Sequence, residues 1–299
     1  MALAACGARP LRLASHQWPG YALIQAACTE GLIASDDVTL IHSADAPATI
    51  RLLSQAEADA ATLTLDEVLQ ARAQGQDLRV AAVLDVSAGA DALIASPGIR
   101  LLSQLRGRRI GLEQGAVGNL VARKALEAAR VGLDEVSLLD LPLAAQGDAL
   151  RSGRIDALVC FEPLLGQLEA QGFRRLFDSR SMPYAVLDVL AVRQAAISPA
   201  ALTSVIAGHL LLRERLLSDP QDGRFALAPH LGVQADRVPD LYRGLILPGL
   251  HMNHEMLREG GSVARAAQEL HRYMRSLGML KNEVDLRGLC GTAYLPLED

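Results

Sequence analysis

Short apolar runs alternate with segments of helical spacing along the first part of the chain. Apolar runs of strand length occupy residues 10–15, 37–43 and 58–64, and a long β-rich run with Gly89 inside it follows at 78–95. Between them lie stretches whose apolar residues recur every three or four positions, as on one face of a helix. The resulting order, βαβαβαβ, is typical of a parallel sheet with helical crossovers.

The same alternation begins again with "RRIGLEQG" at 108–115 and continues to a second long apolar run, "YAVLDVLAVRQ", at 184–194. Beyond that run the chain is almost entirely helical. Because each of the two long runs leaves one βα series for another, they indicate a pair of crossovers. We therefore predict an α/β fold of two lobes, with two crossover strands that form a hinge and a ligand cleft between the lobes. The predicted lobes are residues 10–90 with 190–299, and residues 91–189.

Composition narrows the classes of function. Half of the 299 residues are hydrophobic, 21% are charged, and the formal net charge is −5. The sequence has no run rich in Lys and Arg, which argues against nucleic acid or an anionic membrane surface as a partner. The apolar runs fall well short of the ~20 residues that span a bilayer.

Four motifs carry a resemblance to a known family: "WPGY" at 18–21, "GADALIAS" at 89–96, "LRGRRIGLEQG" at 105–115 and "LRSGRIDALVCFEP" at 150–163. Together they resemble the type II periplasmic substrate-binding proteins of the nitrate/sulfonate/taurine and thiamine-pyrimidine group. The resemblance implies a two-lobed protein that captures a small solute and delivers it to an ABC permease, with no catalysis, cofactor or metal. Some members instead present the solute to a membrane signalling receptor, and that alternative stays open.

An enzymatic role is the least favoured alternative. The same group includes a fungal thiamine-pyrimidine synthase, which is marked by a cysteine-rich loop. Here Cys160 is the only cysteine near the matching motif. "HMNH" at 251–254 lacks the residue order of a zinc-protease motif and is expected to be a solvated pair on a helix. We therefore expect a binding protein and not an enzyme.

Candidate ligand residues follow from strand ends, because ligands of open α/β sheets lie beyond the carboxyl ends of the strands. Trp18, the only tryptophan, and Tyr21 follow the first strand. A flat ring stacks well on planar or cationic ligands, so we expect Trp18 to be spared from the core for this purpose. An aromatic pair that caps the first helix is the alternative. Thr62 and Thr64 close the third strand and offer hydroxyls. The alternative role, a cap for the next helix, falls to Thr64 or Asp66.

Polar residues within the two long apolar runs add further candidates. Asp85, Ser87, Gly89 and Asp91 alternate and therefore share one face. We expect Ser87 and Asp91 to face the ligand, with internal pairing as the alternative, because buried carboxylates need partners. Asp188 is a lone charge in the second run and is expected to meet either a partner on the other crossover or a ligand cation.

The remaining strand-end turns contribute Glu113, Gly115, Phe161 and Glu162. Exposed N–H groups near Gly115 suit a ligand-lining turn, whereas Glu162 is also explained by a helix N-terminus, where a carboxylate is stabilised. These turns contain acidic residues but no Arg or Lys. A sulfonate or nitrate pocket would need guanidinium groups or many donors. We therefore expect a solute that is cationic or rich in N–H and O–H donors.

The N-terminus carries "LAAC" at 3–6, which resembles a bacterial lipobox. A full lipoprotein signal needs basic and apolar regions upstream, and Cys6 stands close to the start of this sequence. We expect Cys6 to be lipidated in a longer precursor, and a chance cysteine at a cytosolic N-terminus is the alternative. The expected location is periplasmic or extracytoplasmic, with membrane contact only through that anchor.

Overall fold

The computed structural model describes residues 9–113, 116–194 and 199–297. Its strands and helices confirm the alternation predicted from the sequence. In chain order they are β1 (Leu11–Ser15), α1 (Pro19–Thr29), β2 (Val38–His42), α2 (Ala46–Ser54), β3 (Ala60–Thr64), α3 (Leu65–Ala73), β4 (Leu78–Ser87), β5 (Ala92–Ala95), β6 (Arg109–Leu112), α4 (Ala116–Ala129), β7 (Ser137–Asp140), α5 (Leu143–Arg151), β8 (Ala157–Cys160), α6 (Leu164–Ala170), β9 (Arg174–Asp178), β10 (Leu187–Arg193), α7 (Pro199–Ser218), α8 (Pro220–Leu231), α9 (Val238–Leu241), β11 (Leu245–Ile246), α10 (Leu250–Leu257) and α11 (Ser262–Ser276).

The chain packs into two compact units. The first unit contains the residues up to Asp85 together with Leu187–Val238 and the residues from Leu247 onward, and the second contains Val86–Val186 and Pro239–Ile246. The strands form two separate sheets, as predicted. None of the helices in the described ranges combines the length and the apolar character needed to cross a bilayer.

The first sheet has the strand order β11-β4-β10-β3-β1-β2. β1 runs parallel to β2 and β3, whereas β10 runs antiparallel to β3. Every residue of β3 is buried, as is typical of a strand that is covered on both faces. The antiparallel register sets Asp188 opposite Thr64 and Leu190 opposite Thr62. Asp188 therefore shares one face of the sheet with both threonines.

Local sequence fixes the helix starts at the carboxyl edge of the first sheet. Pro19 opens α1 immediately after Trp18, because a proline at the first helical position loses no intrahelical hydrogen bond. The Asp45 side chain caps α2 by accepting a first-turn N–H at 2.7 Å. Thr64 precedes α3, and the Glu67 side chain accepts the Thr64 N–H at 2.9 Å. Each strand end is thereby held against the start of a helix.

The second sheet has the strand order β7-β6-β8-β5-β9. β6 runs parallel to β7 and β8, and β5 runs antiparallel to β8 and β9. Ala92 pairs with Cys160 on one side and with Asp178 on the other. The beginning of β5 therefore meets the ends of β8 and β9 at one edge of the sheet.

Two features differ from the sequence prediction. The long β-rich run predicted over 78–95 is divided into two strands, because Gly89 adopts a φ of +115°, which side-chain-bearing residues rarely adopt, and turns the chain. The sequence also assigned all of 190–299 to the first lobe, whereas 239–246 packs with the second unit. The physical reason is that β11 pairs antiparallel with Val86 and Ser87 at the end of β4. The predicted hinge stays a prediction.

Candidate functional site

Trp18 and Asp85 form a buried hydrogen-bonded pair in the first unit. The indole N–H donates to Asp85 Oδ2 at 3.0 Å. The Asp85 residue is fully buried and Trp18 is only 9% exposed. The expectation that Trp18 is spared from the core was therefore wrong, because the ring is needed to donate a hydrogen bond to a buried carboxylate. Its contact with a ligand stays a prediction.

Tyr21 and Asp188 form a second pair of the same kind. The Tyr21 hydroxyl donates to Asp188 Oδ1, and both residues are almost completely buried. Burial, followed by the charge of Asp188, raises the pKa of Tyr21 well above its usual value, so the phenol stays protonated. Trp18, Tyr21, Asp85 and Asp188 are called the first-unit cluster below.

The two threonines predicted to face a ligand are also buried at this edge. Thr62 donates through its hydroxyl to Ser15 Oγ at 3.0 Å, and Gln25 Nε2 donates to the same oxygen at 3.2 Å. Thr64 lies opposite Asp188 and immediately precedes α3. The structure therefore brings together five predicted ligand residues of the first unit, namely Trp18, Tyr21, Thr62, Thr64 and Asp188. Ser15 and Gln25 are polar neighbours that were not identified from the sequence.

A hydrogen-bond chain joins Ser179, Ser87 and Asp91 in the second unit, here called the second-unit cluster. Ser87 Oγ and Ser179 Oγ lie 2.7 Å apart, and Ser179 Oγ also accepts the Gly89 N–H at 2.7 Å. The pKa of Asp91 is raised to about 6, because the raising effect of burial exceeds the lowering effect of the hydrogen bond with Ser87. Within the described residues, Asp91 Oδ2 has no hydrogen-bond partner. Internal pairing, the alternative named from the sequence, thus leaves one oxygen of this carboxylate without a hydrogen bond from the described residues.

The end of β8 places Glu162 at the start of α6. Glu162 is 6% exposed, and its Oε2 accepts the Gly166 N–H at 3.0 Å. Burial raises the pKa of Glu162, whereas the Gly166 N–H and the charge of Arg243 lower it. The alternative explanation of Glu162, a carboxylate at a helix N-terminus, therefore agrees with this contact. A contact between Glu162 and a ligand stays a prediction. Phe161 precedes it and is half-buried.

Arginines lie closer to the candidate residues than the sequence analysis expected. Arg175 Nη1 donates to the Gly89 carbonyl at 3.0 Å. The Arg180 side chain passes Gly89 so closely that a methyl placed there would lie 3.3 Å from Nε. Arg243 influences Glu162 from the 239–246 segment. The candidate turns themselves contain no arginine, but the fold brings arginines that are distant in sequence close to Gly89 and Glu162 in the second unit.

The remaining residues singled out from the sequence are Glu113, Gly115, Cys6 and Cys160. Glu113 is half-buried at the end of β6, at the edge of a gap in the described residues. Gly115 and Cys6 lie outside the described residues. Burial, and then the charges of Glu162 and Asp91, raise the pKa of Cys160, so its thiol stays protonated. A protonated thiol is a poor nucleophile.

Comparisons with known proteins address the family and the fold. The family model described as "NMT1/THI5 like" matches residues 30–196. A putative binding protein of Brucella abortus is 32% identical over 79 residues, which are 26% of this chain and 25% of that protein. The match thus spans about a quarter of the length of this curated relative.

Solved structures resemble the chain over almost its whole length. The periplasmic aliphatic sulphonate binding protein SsuA from Escherichia coli superposes with a TM-score of 0.80 at 18% identity, covering 96% of this chain and 99% of SsuA. The desulfurization enzyme DszB matches with a TM-score of 0.67 at 17% identity, covering 95% and 97%. At such identities the likeness shows the fold, and it confirms the predicted α/β fold of two-lobed periplasmic binding proteins.

Proposed function

Because the chain belongs to the NMT1/THI5-like family, we propose that it binds a small organic solute outside the cytoplasm and delivers it to the permease of an ABC importer. The proposed solute is cationic or rich in N–H and O–H donors. Lipid anchoring at Cys6 is part of this proposal. Delivery to a membrane signalling receptor is the alternative, and solute-stimulated ATP hydrolysis by a reconstituted importer would favour the permease.

The proposal rests on one observation, the burial of carboxylates at strand ends of each sheet. Asp188 in the first unit is 2% exposed, and Asp91 and Glu162 in the second are 4% and 6% exposed. Each carboxylate has hydrogen-bonding neighbours in its own unit. A buried carboxylate retains a strong preference for cations and donors, so these positions favour a solute of that chemistry over an anion.

The ligand residues we propose fall into two sets that are tested separately. In the first unit they are Trp18, Tyr21, Thr62, Thr64 and Asp188. In the second unit they are Ser87, Asp91, Glu113, Phe161 and Glu162.

A thermal-shift panel of amines, pyrimidines, sulfonates and amino acids tests the proposal. A solute present at a hundred times its Kd stabilises the folded protein by about 2.7 kcal/mol. We expect that shift from at least one cationic or donor-rich compound and from no simple sulfonate. A shift caused only by sulfonates would contradict the proposed solute class.

Removing one carboxylate charge should weaken binding of the solute found in this way. Asp188→Asn and Glu162→Gln keep the shape of the side chain, and the amide oxygen introduced by Asp188→Asn would still accept the hydrogen bond from the Tyr21 hydroxyl. We expect each substitution to cost about 2 kcal/mol of binding, roughly thirtyfold in Kd, because the ligand loses a charged acceptor in a buried setting. Calorimetric titration measures the effect.

Glu259→Gln is the matched control, because it removes a carboxylate from an exposed position. Its Kd should equal that of the parent protein. If both buried-site variants instead bind an anion more tightly than the parent, the carboxylates were only repelling it. If neither variant changes any Kd, these residues serve the fold alone.

Trp18 should report the binding event through its fluorescence. It is the only tryptophan, so its emission is an unmixed signal, and its indole is hydrogen-bonded to Asp85. We expect solute binding to change the wavelength or the intensity of emission. Binding that calorimetry detects without any change in emission would argue against contact between the solute and the first-unit cluster.

An enzymatic function is a second candidate, because DszB shares the fold. The protonated state of Cys160 disfavours that thiol as a nucleophile. Recovery of the bound solute distinguishes the two functions. A binding protein releases the solute with its mass unchanged, whereas an enzyme releases a product.

A further inference from the structure

The N-terminus of α1 lacks a counter-charge from its own helix. α1 spans eleven residues from Pro19 to Thr29, and its first turn contains no acidic residue. The side chain of the preceding residue, Trp18, makes no capping hydrogen bond. Pro19 has no N–H, and the N–H groups of Tyr21 and Ala22 both donate to the Trp18 carbonyl at 3.2 Å. The positive end of the helix is therefore what favours an anion at this position.

Asp85 of β4 supplies that anion from within the first unit. A methyl group placed on Gly20 would lie 1.7 Å from Asp85 Oδ2 and 2.7 Å from its Cγ. The carboxylate therefore lies directly against the first turn of α1, where only a glycine leaves room for it. The Trp18 indole N–H holds the same Oδ2 at 3.0 Å, and the Asp85 residue is completely buried.

We propose that Asp85 is a specificity-determining residue that occupies the anion position at the start of α1. Its carboxylate takes the place that an acidic group of a solute would fill, because helix N-termini are favourable anion sites. Solutes with a sulfonate or carboxylate group are refused at this position by occupancy and by charge repulsion. The statement about solutes rests on the proposed function, whereas the occupancy of the position does not.

Removing the carboxylate should open the position to an external anion. Asp85→Ala removes the atoms that a formate ion would replace. We expect sodium formate to raise the Tm of this variant saturably, relative to sodium chloride at equal ionic strength, and to leave the parent unchanged. Asp85→Asn is the matched control, because it keeps the shape and leaves no room for formate.

Gly20→Ala provides an independent arm. In the parent protein the added methyl must displace the carboxylate, so we expect a lower Tm. In the Asp85→Ala background the methyl should be tolerated and should abolish the formate effect, because it fills the opened space. If Asp85→Ala does not fold in chloride, refolding in formate replaces the melting experiment, and recovery of folded protein in formate supports the proposal.

The proposal would be overturned if formate did not raise the Tm of Asp85→Ala, or raised the Tm of the parent or of Asp85→Asn equally. It would also be overturned if Gly20→Ala did not lower the Tm of the parent, or if an unfolded Asp85→Ala were not recovered by refolding in formate. A solute arm uses methanesulfonate, which should bind Asp85→Ala at least about tenfold more tightly than the parent. Equal binding would overturn the specificity role. Formate rescue needs no solute, so it succeeds even if the proposed solute-binding function fails.

Discussion

Asp91→Asn should raise the free energy of unfolding by about 3 kcal/mol near neutral pH, and this gain should vanish near pH 4. Burial raises the pKa of Asp91 to about 6 in the folded protein, against 3.8 in the unfolded chain. Each unit of difference corresponds to about 1.4 kcal/mol. Because the folded state binds this proton more tightly than the unfolded state, protonation of Asp91 stabilises the fold fully below pH 3.8. This contribution to the free energy of unfolding is lost as the pH rises from 3.8 to 6. Asparagine carries no charge at any of these values.

Urea unfolding of the parent and the variant at several pH values between 4 and 7.5 measures the effect of Asp91→Asn. Asp148→Asn is the control, because its side chain is 88% exposed in the same unit. The difference between parent and Asp91→Asn should grow with pH and should exceed any change that the exposed control shows. A constant difference across this range would show that Asp91 is not a buried charge.

His209→Leu should protect the protein against acid by about 3 kcal/mol near pH 4. His209 is 1% exposed in α7, and neither ring nitrogen has a hydrogen-bond partner within the described part of the chain. Burial, and then the charge of Arg213, lower the pKa of His209 to about 4, against 6.5 in the unfolded chain. The unfolded state therefore takes up the proton first, and stability is lost as the pH falls from 6.5 to 4.

The measurement for His209→Leu is the same pH series of urea unfolding. The free energy of unfolding of the parent should fall more steeply with acid than that of the variant, because leucine fills the space without a titrating group. His251→Gln is the control, because that histidine is exposed on α10. Parallel pH profiles of the parent and His209→Leu would contradict the assignment of acid sensitivity to this side chain.

Secondary structure was predictable because hydrophobic periodicity is a local property. The apolar run at 58–64 and the candidate cap Thr64 identify β3 and the start of α3 without knowledge of their neighbours. β11 was missed because two residues carry no period, and it forms only because the end of β4 lies beside it. Its pairing also explains why 239–246 packs with the second unit.

The candidate site was only partly predictable. Trp18, Tyr21 and Asp188 stood out as rare aromatic or charged residues in apolar or turn contexts, and the structure places all three in buried hydrogen-bonded pairs, Trp18 with Asp85 and Tyr21 with Asp188. Arg175 was missed because its contact with the Gly89 carbonyl depends on the antiparallel pairing of β5 with β9. Strand direction sets which residues share an edge, and a single sequence does not specify it.

Native mass spectrometry of the parent protein mixed with the solute panel tests the central claim most directly. We predict a complex of one protein chain with one cationic or donor-rich solute, which is released with its mass unchanged and is much depleted in Asp188→Asn. A folded parent protein that retains no panel compound, that retains only sulfonates, or that releases a compound of altered mass would contradict the claim of a cation-preferring solute-binding protein.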